Sequence, residues 1–525
     1  MQKRTPGAVG LFAVVAAALS LTGLASPAHA AGGTLRVQLP ADIRSTTPGS
    51  NRDANTDIVV MHVVEGLVAY REDGSVGPLL AESVALSEDS RTYTFGLRDG
   101  VKFHNGAPLT SKEVLWSLSR YLDPATQWRC LPDLDGTSGL RIEAVEAPDD
   151  RTVTIRINAP SALFLGILAR TDCGMTAVLH PASVKPDGSW DKPIGTGPFV
   201  FEEHVPGQSA RISAFRDYAA LPGERDGYAG NKAPLVDTVE FIVVPDDAAA
   251  QAALLAGDLD VLPDISNAAQ KELEANDAVK VLTSQTMGTN VLLFQTLDPV
   301  VGNVKLRQAI AAALDIPQIV AAVTEGNAAA NNSLVPNTSP FYGAVQKQGF
   351  TYDPARAGQL LEEAGYKGEE IVLMTNQRYP SSYDSAVFAQ AMLQAIGMNV
   401  RLEVLEWGTQ LDAYTSGKYQ MMAFPYSARL DPALSFEAVM GDKKKQPRKA
   451  WDNPEAQKLL EEAKTVSDTA RRQQIFDTLH EMAIADVPLI MLYNGAEVAA
   501  VAKNVEGYKP WPAAMPRLFG VSLTE

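Results

Sequence analysis

Cysteine and histidine are scarce in this 525-residue chain, which holds two of the first and six of the second. His62, His104, His180, His204 and His480 stand singly, with no Cys or His at ligand spacing, so neither a zinc nor a nickel centre is expected. H-E-x-x-H, G-x-S-x-G and Walker-type loops are absent. Nothing signals enzyme chemistry, a metal or an organic cofactor. Positive charge is in deficit: 45 Lys and Arg against 62 Asp and Glu leave a net charge of −17. That balance excludes a basic nucleic-acid surface, which must neutralise phosphates, and argues against docking on anionic lipid. Past the N-terminus no apolar run approaches the ~20 residues of a membrane span. Low-complexity tracts and internal repeats are missing as well.

The one apolar run, Leu11 to Leu24, follows Lys3 and Arg4 and precedes Ala28-His29-Ala30. A positive start, a short apolar stretch and a small-x-small site read as a signal peptide cut after Ala30. No cysteine follows the cut, so a soluble, exported protein without a lipid anchor is expected. In an oxidising compartment the isolated pair Cys130 and Cys173 reads as one disulfide, with two buried free thiols as the alternative. The remaining ~495 residues call for two or three domains.

Short strands alternate with amphipathic helices throughout, the signature of an α/β chain. Expected strands include Thr34–Leu39, Thr92–Leu97, Thr152–Ile157, Val239–Val244, Val291–Gln295, Ile371–Met374, Val400–Leu405 and Tyr419–Phe424. Thr110 and Glu113 form a capping box ahead of a helix. Asp353-Pro354 opens another, with Ala357, Leu360, Leu361 and Ala364 on its core face and Gly365 at its end. Ala389, Met392, Leu393 and Ile396 repeat that spacing up to Gly397, and Asn453-Pro454 starts one more. Pro193-Ile194-Gly195-Thr196-Gly197-Pro198-Phe199 reads as a constrained turn between domains. Glu362-Glu363 and Glu461-Glu462 read as solvated helix faces. Lys443, Lys444, Lys445, Arg448 and Lys449 form a basic run, read as a solvated loop or as a docking patch.

Several blocks, in order, carry a resemblance. They are Val64-Glu65-Gly66-Leu67-Val68, Asp73-Gly74, Leu80-Ala81-Glu82-Ser83, and the stretch from Tyr93 to Gly106, YTFGLRDGVKFHNG. Ile194–Phe199, Leu255-Ala256-Gly257-Asp258-Leu259-Asp260, Val304–Ala309, Tyr352-Asp353-Pro354 and Leu360–Tyr366 follow. Over nearly the whole mature chain this resembles the dipeptide/oligopeptide-type solute-binding proteins of ABC importers, solute-binding protein family 5. The resemblance implies a two-lobed periplasmic-binding-protein clamshell (type II) with an additional small domain inserted in the N-terminal lobe. The expected division is lobe I at 31–67, 193–285 and 493–525, the inserted domain at 68–192, carrying the disulfide, and lobe II at 286–492. A monomer is implied that captures a small-molecule or peptide ligand and docks transiently on a membrane-embedded ABC permease. A sensor or chaperone partner is the alternative outside transport.

In peptide-binding members of that family, a carboxylate just before an Asp-Pro turn holds the ligand's amino terminus. The matching stretch here is Tyr426-Ser427-Ala428-Arg429-Leu430-Asp431-Pro432, and Arg429 stands in the acid's place. A second acid, on the loop before the Glu-Gly-Leu block, corresponds to Arg52, with Asn51, Asp53 and Asn55 around it. Arginine forks onto a carboxylate and repels an ammonium, so the departures point to a carboxylate-bearing solute, with a short peptide as the alternative. Arg378 resembles the family's ligand-carboxylate arginine, and Tyr379, Trp407 and Tyr426 are candidate aromatic walls. Asp431 completes the candidate set. Two readings stay open for three of these: Trp407 as core, Arg378 as surface, and Arg429 as an ion-pair partner of Asp431.

Overall fold

The computed structural model describes residues 1–2, 32–50, 54–513 and 515–524. The expected leader and Arg52 lie outside the described residues. Among the described residues no single helix is long and apolar enough to cross a membrane, and no group of three or more His, Cys, Asp or Glu side chains could hold a metal ion.

The fold is a two-lobed clamshell built on one ten-stranded sheet. In spatial order its strands are Val400–Leu405, Ile371–Asn376, Met421–Tyr426, Val279–Phe294, Leu489–Ala502, Val261–Leu262, Thr34–Leu39, Thr238–Val243, Ser209–Ala214 and Phe199–Val205. The first three pair in parallel and belong to one lobe. The last five belong to the other, where Thr34–Leu39 runs parallel to Thr238–Val243. Period-two alternation distributes the core: Leu292 and Phe294 pack on one face of the sheet, Val291 and Leu293 on the other. The sheet is mixed, and helices pack on both faces where its first three strands run parallel.

Two strands cross between the lobes. Val279–Phe294 has 16 residues and Leu489–Ala502 has 14, both longer than an ordinary strand, and they pair antiparallel. Their ladder breaks between Gln285 and Thr289 and again between Asn290 and Val291. Such a break concentrates bending and twist, so the segment Thr286–Asn290 is where the lobes can turn on one another. Thr286, Met287 and Gly288 interrupt the alternation, and for that reason only the Val291 end of this strand is legible in the sequence.

A separate four-stranded antiparallel sheet holds Ala81–Leu86, Thr92–Leu97, Thr152–Ile157 and Ile142–Asp149 in that order. The helix Ser111–Tyr121 begins with the expected capping box, in which Thr110 accepts from the backbone and Glu113 reaches back to it. Cys130 and Cys173 are bonded, with Cα atoms 5.7 Å apart. The Trp128 indole N–H donates to the Cys173 carbonyl at 2.9 Å.

The Pro193–Phe199 turn lies directly on the backbone of Val63. A Cβ at Gly195 would sit 2.3 Å from the Val63 carbonyl oxygen, and one at Gly197 2.6 Å from the Val63 carbonyl carbon, so no side chain fits at either position. Beneath the turn Glu65 accepts from the Thr196 hydroxyl and the Tyr218 phenol, each at 2.9 Å. Lys232 Nζ stands 2.7 Å from Glu65 Oε1, and the two side chains are 0% and 1% exposed. The contact is a close, fully buried ion pair.

Glu497, on the second crossing strand, makes stability depend on pH. Burial, then the charge of Asp264, pushes its carboxyl up to about 7, while the Trp511 backbone and Arg517 act the other way. Burial raises Asp264 as well. The folded state therefore prefers protonated Glu497, and that preference is lost as pH rises from the ordinary carboxyl value of 4.5 through about 7. The urea midpoint is expected to fall across this interval and to flatten in Glu497→Gln. A wild-type midpoint that stays constant there refutes the assignment.

Candidate functional site

Three parallel strands end side by side, and each hands the chain through a short loop into a helix. Ile371–Asn376 leads through Arg378 and Tyr379 into the helix Pro380–Ala395. Val400–Leu405 leads into Trp407–Ser416, and Met421–Tyr426 leads through Arg429 and Asp431 into Pro432–Val439. Ligands of α/β sheets bind outside the carboxyl ends of such strands. Helix N-termini facing the same place add positive potential. Glu406 and Asp431 cap two of these helices with their side chains, whereas Tyr379 gives the third no side-chain cap.

The aromatic residues meet. Trp407 packs edge-on against Tyr379, ring centroids 5.0 Å apart, and tilted on Phe424 at 5.6 Å. Phe424 stacks on Tyr414 at 4.4 Å, and the Tyr414 and Tyr426 hydroxyls are 3.0 Å apart. Burial and the Tyr414 phenol hold the Tyr426 hydroxyl protonated well above its ordinary range. Tyr426 pairs with Thr289 of the crossing strand, which puts this wall against the bending segment. Trp407 and Tyr379 are half-buried.

Arg429 is half-buried, and its guanidinium donates only to carbonyls of its own loop, Ala428 at 3.1 Å and Ser427 at 3.5 Å. Burial lowers its proton affinity, and the charges of Arg170 and Arg448 lower it further, against Asp172 and Tyr426. Among the described residues it has no ion-pair partner. The alternative of an Arg429–Asp431 pair is overturned: Asp431 accepts twice from Arg472 Nη2, at 2.7 and 2.9 Å, and caps the helix through Ala433 N. Arg472 lies 41 positions away, on a helix whose packing the loop sequence does not reveal. Arg378 is exposed, with no ion pair among the described residues. Asn55 lies in the short helix Ala54–Val60, partly buried.

Sequence reasoning missed Arg170, which reaches this place from the inserted domain held by Asp133 at 2.6 Å and Asp172 at 2.8 Å. It also missed Arg448, hidden in the basic run. The reading of that run as a solvated loop fails at two positions, because Lys443 and Lys449 are each 3% exposed. Lys443 Nζ donates to Gln295 Oε1 at 2.5 Å, and burial brings its pKa down to about 8. Lys449 donates to the Glu437 carbonyl. The loop folds back at Gly441, whose N–H donates to the Trp451 carbonyl at 3.1 Å, and this tucks both ends inward.

Residues 75–447 match the family model described as bacterial extracellular solute-binding proteins, family 5 Middle. The dipeptide-binding protein of Escherichia coli strain K12 is 26% identical over 510 residues, covering 91% of each chain. The structure of HbpA2 from Haemophilus parasuis superposes with a TM-score of 0.81 at 24% identity, covering 94% of this chain and 100% of the other. The periplasmic binding protein DppA from Helicobacter pylori, in complex with the peptide STSA, superposes with a TM-score of 0.69 at 26% identity, covering 94% and 98%. A clamshell sheet crossed by two long strands and a family match over most of its length agree: the chain belongs to the bacterial extracellular solute-binding proteins of family 5, receptors that capture a solute for ABC importers.

Proposed function

We propose that this receptor captures a small solute bearing at least one carboxylate and delivers it, as a monomer, to a membrane-embedded ABC permease. The observation that carries the reading is Arg429: half-buried at the strand ends, with no ion-pair partner among the described residues, and within reach of the charges of Arg170 and Arg448 as well as Asp172. A ligand ammonium would be repelled there, whereas a carboxylate completes the guanidinium's fork. Exposed Arg378 and the uncapped helix at Tyr379 supply a second place for negative charge. Tyr379, Trp407 and Tyr426 form the apolar wall. Asn55 and Arg52, the latter outside the described residues, complete the candidate set, and Asp431 acts through Arg472 to set the loop. Closure follows if the ligand touches both lobes, because it then favours the closed state by its differential affinity. On this reading lobe II spans 286–492, the inserted domain spans 68–192, and lobe I takes the rest of the mature chain. The chain binds and releases its ligand unchanged.

The relatives' names favour a second reading, a short peptide. A thermal-shift screen of residues 31–525, unfolded and refolded to strip carried ligand, separates the two. The panel sets di- to pentapeptides against carboxylated sugars, amino-acid conjugates and glutathione. Carboxylate-rich solutes are expected to stabilise the protein, and Arg429→Ala is expected to weaken them about 10- to 100-fold, the worth of a hydrogen bond to a charged group. Stabilisation by free-amine peptides that survives Arg429→Ala overturns the proposal and restores the peptide reading.

A further inference from the structure

Beside Arg429 a cavity of about 740 Å³ lies between the inserted domain and the far lobe, within the range of small-molecule pockets. Its back is closed where Ala162 N donates to the Lys464 carbonyl at 2.9 Å and Leu163 packs against the far lobe's core. The cations on its wall are already paired, and Asp73, exposed and accepting from the Ser75 backbone N–H, is the carboxylate there with no ion pair among the described residues. Arg170 is paired with Asp133 and Asp172, Lys464 with Glu437 and Glu461, and Arg472 with Asp431.

Apart from Asp73 at its edge, what the wall leaves for a guest is largely apolar. Leu163, Leu165, Ile167, Phe341, Leu430 and Leu434 line it, each only half-buried, while their chain neighbours Phe164, Leu168 and Ala433 are fully inside. Gly166 widens it, since a Cβ there would meet nothing nearer than the Tyr70 hydroxyl at 3.6 Å. Leu430 follows Arg429 directly, and Arg170 and Tyr70 also line the wall, so a cation with no ion pair among the described residues stands next to a largely apolar chamber.

Building on the carboxylate reading, we infer that the ligand is amphiphilic: its carboxylate meets Arg429, and an apolar arm, aliphatic or aromatic, fills the cavity between the inserted domain and the far lobe. The inserted domain thereby becomes part of the binding site.

Calorimetry on refolded residues 31–525 tests this with N-acylglycines from acetyl to decanoyl and the matching N-acylglycinamides, which lack the carboxylate. Affinity of the acids is expected to rise about fourfold per added methylene until the cavity is full, the transfer free energy of a buried CH₂, and the amides are expected to bind at least tenfold more weakly. Gly166→Leu fills the chamber from its wall and Ser138→Trp from its exposed rim, and each is expected to remove the dependence on chain length. The melting temperature of each variant shows that it is folded. A flat series whose binding still needs Arg429 overturns the amphiphile and leaves the carboxylate reading standing. Failure of every acid to bind, or amides binding equally well, overturns both. Dependence on chain length that persists in both variants places the arm elsewhere and overturns the assignment to this cavity.

Discussion

Lys232→Met is expected to lower the unfolding free energy by about 3–5 kcal/mol, the loss that follows when one partner of a buried ion pair is removed. Lys232 and Glu65 are 0% and 1% exposed, so neither charge is solvated by bulk water. Burial lowers the proton affinity of Lys232, and Glu65 offsets it. In the variant Glu65 keeps the Thr196 and Tyr218 hydroxyls but loses its counter-charge. The effect belongs to the fold and not to the ligand, because Glu65 stands under the Pro193–Phe199 turn that brings the chain back from the inserted domain. Urea titration measures it. Adding Glu65→Gln to Lys232→Met is expected to recover most of the loss, since the double variant buries no charge. A single variant within about 1 kcal/mol of wild type, the worth of an exposed pair, refutes the argument.

Replacing both cysteines by alanine is expected to cost about 4 kcal/mol, from the loop-closure entropy that a bond spanning 43 positions removes from the unfolded chain. Cys130 and Cys173 are 1% and 0% exposed, so a reductant reaches the bond only when this part of the chain opens. Trp128 reports on that event, because its indole N–H is bonded to the Cys173 carbonyl. Its emission is expected to change at a lower denaturant concentration in the double alanine variant, before the far lobe unfolds. Coincident unfolding of the two parts at the wild-type midpoint contradicts this.

Much of the local structure was legible because the signals were local. The alternation in Thr34–Leu39 and Thr92–Leu97, the capping box at Thr110 and the closing glycine at Gly365 each need only a few neighbouring residues. The order of family motifs gave the architecture. What escaped was whatever depends on distant chain. The crossing strand Val279–Phe294 loses its period at Thr286–Gly288, where the function of the fold requires a break in the ladder. Arg170 comes to the site from another domain, and Arg448 sits among lysines whose two buried members look in sequence like any others. Asp431 looks like a binding residue beside Arg429, yet its carboxylate is committed to Arg472.

The crossing strands also set the order in which the molecule can be completed as it is made. Leu489–Ala502 lies in the sheet between Val261–Leu262 and Val279–Phe294, both of which leave the ribosome long before it. Asn494 and Gly288, hydrogen-bonded across this pair, are 206 positions apart. At 5–20 residues per second the earlier strand waits roughly 10–40 s for its neighbour. Through that interval a nascent chain exposes an unpaired strand edge, a template for joining other chains. Both lobes wait for Leu489–Ala502, because Leu489 to Tyr493 are buried in the cores around the first three strands while the rest of the strand closes the sheet on Val261–Leu262. Nascent chains halted before Leu489 are therefore the species in greatest need of a holding chaperone.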